Sequence, residues 1–179
     1  MSGRRMLVVG AHSADFVWRA AGAIACHTAA GGEAVVVALS YGERGESGEL
    51  WKQPDQTEDN VKRIRHTEAE KAATAVGARF EAFDLGDYPL RVGPESVDRL
   101  AELMRDFAPH VVLTHPEHDP FNPDHPAAHA AMAAQRYLQE YYKQRADQRG
   151  NHARKVTGDA AIRQAEAFQR LLPNVVEAL

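Results

Sequence analysis

A chain of 179 residues with 44% hydrophobic content is long enough for one domain with a real core and too short for two comfortable ones. The formal charge of −4, with basic residues scattered along the chain, excludes the dense positive stripe of a nucleic-acid binder. A single cysteine excludes a disulfide framework, no apolar run reaches the length of a bilayer span, and MSGRRML enters the first strand without a signal-like apolar region. The expectation is a cytoplasmic protein with no membrane and no nucleic-acid partner.

The apolar run Met6–Val9, rich in β-branched residues, predicts a strand that ends at Gly10-Ala11. A helix follows over 15–30, closed by Gly31-Gly32, with Cys26 read as a small buried hydrophobe inside it. Residues 34–39 are almost continuously apolar, as in a parallel strand covered on both faces. The loop SYGERGES comes next, and a helix over 57–76 presents Val61, Ile64, Ala69, Ala72, Ala73 and Val76 inward. Residues 79–85 form a third strand ending in GDYPLR, 94–107 a third helix, and 111–114 a fourth strand. Helices are expected over 126–142 and 158–172, joined by a solvated basic segment over 143–157. Alternating strands and helices predict an α/β fold, a Rossmann-like three-layer sandwich with a mostly parallel sheet.

Open α/β sheets bind ligands at the carboxyl ends of their strands, and His12 and Asp15 lie there, three residues apart in a tight turn. A turn of that kind can aim an imidazole and a carboxylate at one metal such as zinc. The competing reading makes Asp15 a helix N-cap and His12 a hydrogen-bonded turn residue. A third ligand would come from HPEHDPFNPDHPAAH, residues 115–129, which follows the fourth strand and holds four of the nine histidines.

With those positions in place, AHSADF at 11–16 and NPDH at 122–125 resemble the LmbE/PIG-L superfamily of zinc-dependent N-acetylglucosaminyl deacetylases, whose motifs are AHPDDE and HPDH. The resemblance implies Zn2+ held by His12, Asp15 and His125. It places Ala14 where the deacetylases carry their general base, and Asn122 where they carry another histidine. Alanine accepts no proton, so amide hydrolysis lacks its base here. The segments AHSADFVWRA, SYGERGES and GDYPLR closely resemble the 4-oxalomesaconate hydratase branch, in which Ser-Ala-Asp is the normal form of the first motif. That branch carries a further segment, with a histidine and an aspartate at the site, where Met132-Ala133-Ala134-Gln135 here passes almost directly into the C-terminal part. The expectation is that this sequence omits a segment near 132–136.

The branch implies a small-molecule oxo-tricarboxylate substrate, hydrated in gallate and protocatechuate breakdown, and Glu46 as the acid/base residue, with Glu43 as fallback. Hydrating a double bond conjugated to a ketone needs a nucleophilic water, a proton for carbon and a holder for the enolate; zinc would activate the water or polarise the substrate. Arg44 and Arg91 are candidate carboxylate clamps, with Arg19 behind them, and Tyr88 offers a hydroxyl. Asp124 reads as an orienter of a ligand, while His115, His118 and His129 stand near the site as hydrogen-bonded loop or helix residues. A deacetylase whose base has moved to Glu46 or Asp124 is the alternative activity, followed by a degenerate, non-catalytic member. A homo-oligomer is expected.

Overall fold

The structure, a computed structural model, describes residues 3–133 and, beyond them, Gln148, Arg154, Lys155 and Gly158. The chain divides into two compact units, Met1–Ala134 and Gln135–Leu179. The first is described below. Helix beyond Ala133, the helix expected over 158–172 and the basic connection lie outside the described residues apart from those four positions.

Four strands, β1 (Arg5–Gly10), β2 (Glu33–Ala38), β3 (Arg79–Ala82) and β4 (Val111–Thr114), form one parallel sheet in the order β3-β2-β1-β4. Val8 stands opposite Val36 on one side and Leu113 on the other, and Val36 opposite Phe80. In β1 and β2 every residue after the first is buried, which is why these strands read as continuous apolar runs rather than alternating ones.

Helices α1 (Asp15–Arg19), α2 (Ala21–Ala29) and α4 (Glu58–Ala75) cover one face. There Phe16, Ile24, Ala69 and Ala73 pack with Met6, Val8, Ala34 and Val36. The alternate residues Leu7, Val9, Val35 and Val37 point to the opposite face and are equally buried. Helix α6 (Asp124–Ala133) packs on β1 and β4 and meets α5 (Pro94–Phe107), whose Leu100, Met104 and Phe107 are buried. The α/β layering agrees with the expectation from sequence.

Three local readings change. The helix expected over 15–30 is two helices, because Ala20 leaves helical geometry at φ −134°. The restart turns Ile24 and His27 inward, with His27 Nε2 at 2.9 Å from the Arg4 carbonyl, and Cys26 is therefore exposed rather than buried. The loop after β2 contains a short helix, α3 (Gly48–Trp51). The third strand ends at Ala82, although Phe83 and Leu85 still donate their N–H groups to the Ala38 and Leu39 carbonyls.

The strand order sets the location of chemistry. From β1 the chain steps outward to β2 and β3, then returns to the other side of β1 as β4. That reversal opens a crevice at the carboxyl ends of β1 and β4, the topological switch point of an open parallel sheet.

Candidate metal centre and active site

Gly10 closes β1 where a Cβ would sit 3.1 Å from the Asp15 Cβ, so a residue without a side chain lets the turn fold back on itself. Within that turn the His12 backbone N–H donates to Asp15 Oδ2 at 2.7 Å. The same oxygen lies 3.4 Å from His12 Nδ1. Asp15 thus points into the turn, and the N-cap of α1 is Ala14, with no side-chain cap bond. From across the crevice, the first turn of α6 brings His125 Nε2 to 3.3 Å from Asp15 Oδ1. His115, just beyond β4, stacks on the His125 ring with centroids 3.9 Å apart and places Nε2 3.0 Å from Asp15 Oδ2.

His12, Asp15 and His125 are all buried, and one ligand atom from each lies within 4.8 Å of the others. His12 Nδ1 and His125 Nε2 are buried without a hydrogen-bond partner. Buried polar atoms are normally satisfied, so two unpartnered imidazole nitrogens facing a carboxylate make a donor set suited to a borderline divalent cation. The opposite ring nitrogens are tethered, His12 Nε2 at 3.2 Å from Asp124 Oδ2 and His125 Nδ1 at 2.7 Å from Asp119 Oδ2. Outer carboxylates of this kind fix ring orientation and tautomer at metal sites.

Electrostatics follow from this packing. Burial opposes a charged His12, but the hydrogen bond and charge of Asp15, with Glu46 and Asp124, outweigh it and lift the imidazole to about 9. Burial also opposes ionised Asp15, yet His115 and His12 hold its carboxyl well below the ordinary carboxylate range. Burial pushes His125 below the usual imidazole value, against the pull of Asp119. The negative field that raises His12 is one a divalent cation would neutralise.

Glu46 reaches the cluster from the loop after β2, its Oε1 3.6 Å from His12 Nδ1. Burial raises its carboxyl, against the opposing charge of His12. The Tyr88 ring stacks on His12 at 5.6 Å with a 10° tilt, and its hydroxyl accepts a bond from Asn122 Nδ2 at 2.8 Å. Because Asn122 Oδ1 accepts the Asp124 N–H at 3.0 Å, the amide orientation is set and the Tyr88 proton is left to point elsewhere. Asp124 is buried and also accepts N–H bonds from Tyr88 and Leu90, at 2.8 and 2.9 Å.

The structure therefore gathers His12, Asp15, His125, Glu46, Tyr88 and Asp124. It leaves Arg44 exposed and paired with Glu58 at 3.4 Å, and Arg91 exposed. Arg19 reaches back to within 3.7 Å of Asp15 Oδ1, while His118 is exposed and His129 Nδ1 lies 3.0 Å from the His115 carbonyl. Glu43 is fully buried, close to Lys62 rather than the cluster.

Sequence reasoning passed over Asp119 and Arg65. A cleft of about 410 Å3 opens beside the cluster between Ser13, Ala14, Val17, Trp18, Glu46, Arg65, Glu68, Ala69 and Ala72. Arg65 Nη2 lies 3.7 Å from Glu46 Oε2 at its edge. A signal was available: Val61, Arg65, Ala69 and Ala73 recur every four residues, so Arg65 is a cation on the buried stripe of α4.

Residues 7–135 match the profile of a family described as PIG-L, GlcNAc-PI de-N-acetylase. The chain is 52% identical over 139 residues to a 4-oxalmesaconate hydratase of Pseudomonas putida, an alignment covering 76% of this chain and 54% of that protein. It is 29% identical over 155 residues to a 1D-myo-inositol 2-acetamido-2-deoxy-alpha-D-glucopyranoside deacetylase of Rhodococcus erythropolis, covering 74% and 53%. Among solved structures it is similar to GalB, the 4-carboxy-2-hydroxymuconate hydratase of Pseudomonas putida, with TM-score 0.70 and 36% identity over 88% of this chain and 90% of that one. The chain spans about half the length of the curated relatives it matches.

Proposed function

The chain belongs to the PIG-L family, and from that premise we propose that it is a zinc-dependent hydratase adding water to 4-oxalomesaconate to give 4-carboxy-4-hydroxy-2-oxoadipate. The observation that carries this reading is the position of Glu46: a half-buried carboxyl facing His12, beside the turn after β1 in which Ala14 supplies no acid. His12, Asp15 and His125 would hold the zinc. When bound, it would supply a Lewis acid for the substrate's conjugated oxygens or for water.

Hydration forms a C–O bond at one alkene carbon and a C–H bond at the other, the two hydrogens of water ending on oxygen and carbon. Glu46 is suited to moving a proton in that exchange, because burial makes its carboxyl readier to hold one and the electropositive edge of Arg65 limits that tendency. Tyr88 offers its hydroxyl proton to an oxygen on which charge accumulates; its phenol is held protonated by burial and by Asp124, Glu46, Asp87 and Asp15. Arg65 is the cation best placed for a substrate carboxylate, and Arg44 and Arg91 could serve only from the exposed rim. A segment omitted near 132–136 belongs to this reading, and its residues would complete the wall of the site. The protein acts in aromatic-compound breakdown in the cytoplasm, as a homo-oligomer.

The deacetylase relative supports a second reading, hydrolysis of an N-acetylated sugar conjugate with Glu46 as base. Loss of the conjugated ultraviolet absorbance of 4-oxalomesaconate, followed with and without chelator beside an acetate-release assay, decides between them. Chelator-sensitive absorbance loss without acetate is the expected result, and acetate release alone would overturn the hydratase. The Ala14→Asp variant sharpens the contrast, since a carboxylate there equips only the amide hydrolase.

A further inference from the structure

Asp87 enters the chemistry derived above only through its charge on the Tyr88 phenol, yet it is 1% exposed. Its Oδ1 accepts the Arg44 N–H at 3.0 Å, and its Oδ2 accepts the Gly45 N–H at 2.8 Å and the Arg44 N–H at 3.1 Å. Those two amides immediately precede Glu46. The loop that carries them includes Gly42, at φ +67°, and Gly45, whose freedom would otherwise leave the Glu46 backbone weakly determined. A Cβ on Gly45 would fall 1.9 Å from the Tyr88 ring, so the loop lies flush against the residue after Asp87.

The same turn is anchored on its other side. Tyr88 and Leu90 donate their N–H groups to Asp124, and Asp124 Oδ2 is the oxygen beside His12 Nε2. One short segment, 87–90, therefore ties the loop of Glu46 to the carboxylate that orients His12.

We propose that Asp87 is a positioning residue for Glu46, holding it at its distance from His12 through charge-assisted bonds to the Arg44 and Gly45 amides. This rests on the reading of Glu46 as the acid/base group. Without Asp87 both amides lose their acceptor, and the carboxyl of Glu46 is held only by its own contacts. Misplacement of a reacting group by about 1 Å costs on the order of 100-fold in rate, so the loss falls on turnover rather than on substrate affinity.

The test uses the full-length protein with Asp87→Ala and Asp87→Asn, the latter retaining one acceptor oxygen and the shape of the side chain. In Asp87→Ala, kcat on 4-oxalomesaconate falls about 100-fold with KM little changed, zinc content stays at the wild-type level, and amide hydrogen exchange speeds up in the peptide spanning 43–47. Asp87→Asn falls between the two on kcat and exchange, and carries the comparison alone if the alanine variant does not fold. Unchanged exchange overturns the proposal. So does faster exchange with undiminished kcat, or a rise in KM with kcat preserved. An inactive wild type would overturn the hydratase reading instead, and the exchange measurement would still decide whether Asp87 holds the loop.

Discussion

At the residue scale, Glu46 and His12 both favour holding a proton, the first through burial and the second through the surrounding carboxylates. Glu46→Gln preserves shape and removes the exchangeable proton, so kcat falls by about 10²–10⁴-fold while metal content is retained, as measured by steady-state kinetics beside metal analysis. Glu43 is a different case: both carboxyl oxygens are buried without hydrogen bonds, with Lys62 Nζ 3.9 Å away. Burial raises its carboxyl, so its folded state prefers the proton more than the unfolded state does. Its contribution is fully present below the ordinary glutamate value and is lost as pH rises through the raised one. Glu43→Gln therefore gains melting temperature relative to the wild type over that interval and keeps the gain at neutral pH. Thermal melts at a series of pH values between 4 and 7 check the sign. The residues that sequence alone made legible, His12, Asp15, Glu46 and His125, are those whose neighbours in the chain carry a motif. Asp87 and Asp119 lie inside segments that carry a motif, but their own roles and that of Arg65 depend on which side chain or amide the fold sets against them.

Elements are decided by local chemistry and then corrected by packing. Helix α4 starts where Thr57 accepts the Asn60 N–H at 3.2 Å, an N-cap visible in the sequence Thr-Glu-Asp-Asn. Thr57→Ala costs about 1 kcal/mol and lowers the melting temperature by about 2–4 °C in a domain of this size, measured by calorimetry. Leu7 in β1 is fully buried, and Leu7→Ala costs about 2–5 kcal/mol in denaturant unfolding, more than any cap. The break at Ala20 was not read from the sequence, because Ala20 is a good helix former and the nearby Gly22 is a residue that a helical pattern tolerates. Phe16 before the break and Ile24 after it both pack on the face of the sheet that carries Met6 and Val8. The start of α6 at Asp124 was missed by two residues, since Pro126 resembles a first helical position.

Across the whole molecule, the crevice between β1 and β4 joins residues 100 or more positions apart, and a cation held there would link the two strand ends. Zinc at 100 times its dissociation constant would stabilise the protein by about 2.7 kcal/mol. Dialysis of the full-length protein against chelator therefore lowers the melting temperature and abolishes turnover, zinc restores both, and His125→Ala removes the zinc-dependent shift. Among the described residues no helix is long and apolar enough to cross a membrane. Taken alone, the chain determined the alternation of strands and helices, the strand-end placement of His12 and Asp15, and the absence of a carboxylate at Ala14, because hydrophobic period and residue identity are local properties. Only the tertiary structure decided that β4 lies beside β1, that Asp124 takes His12, and that Arg65 rather than Arg44 stands beside Glu46. Those are matters of distance between segments far apart in sequence, and burial of the sheet on both faces sets them.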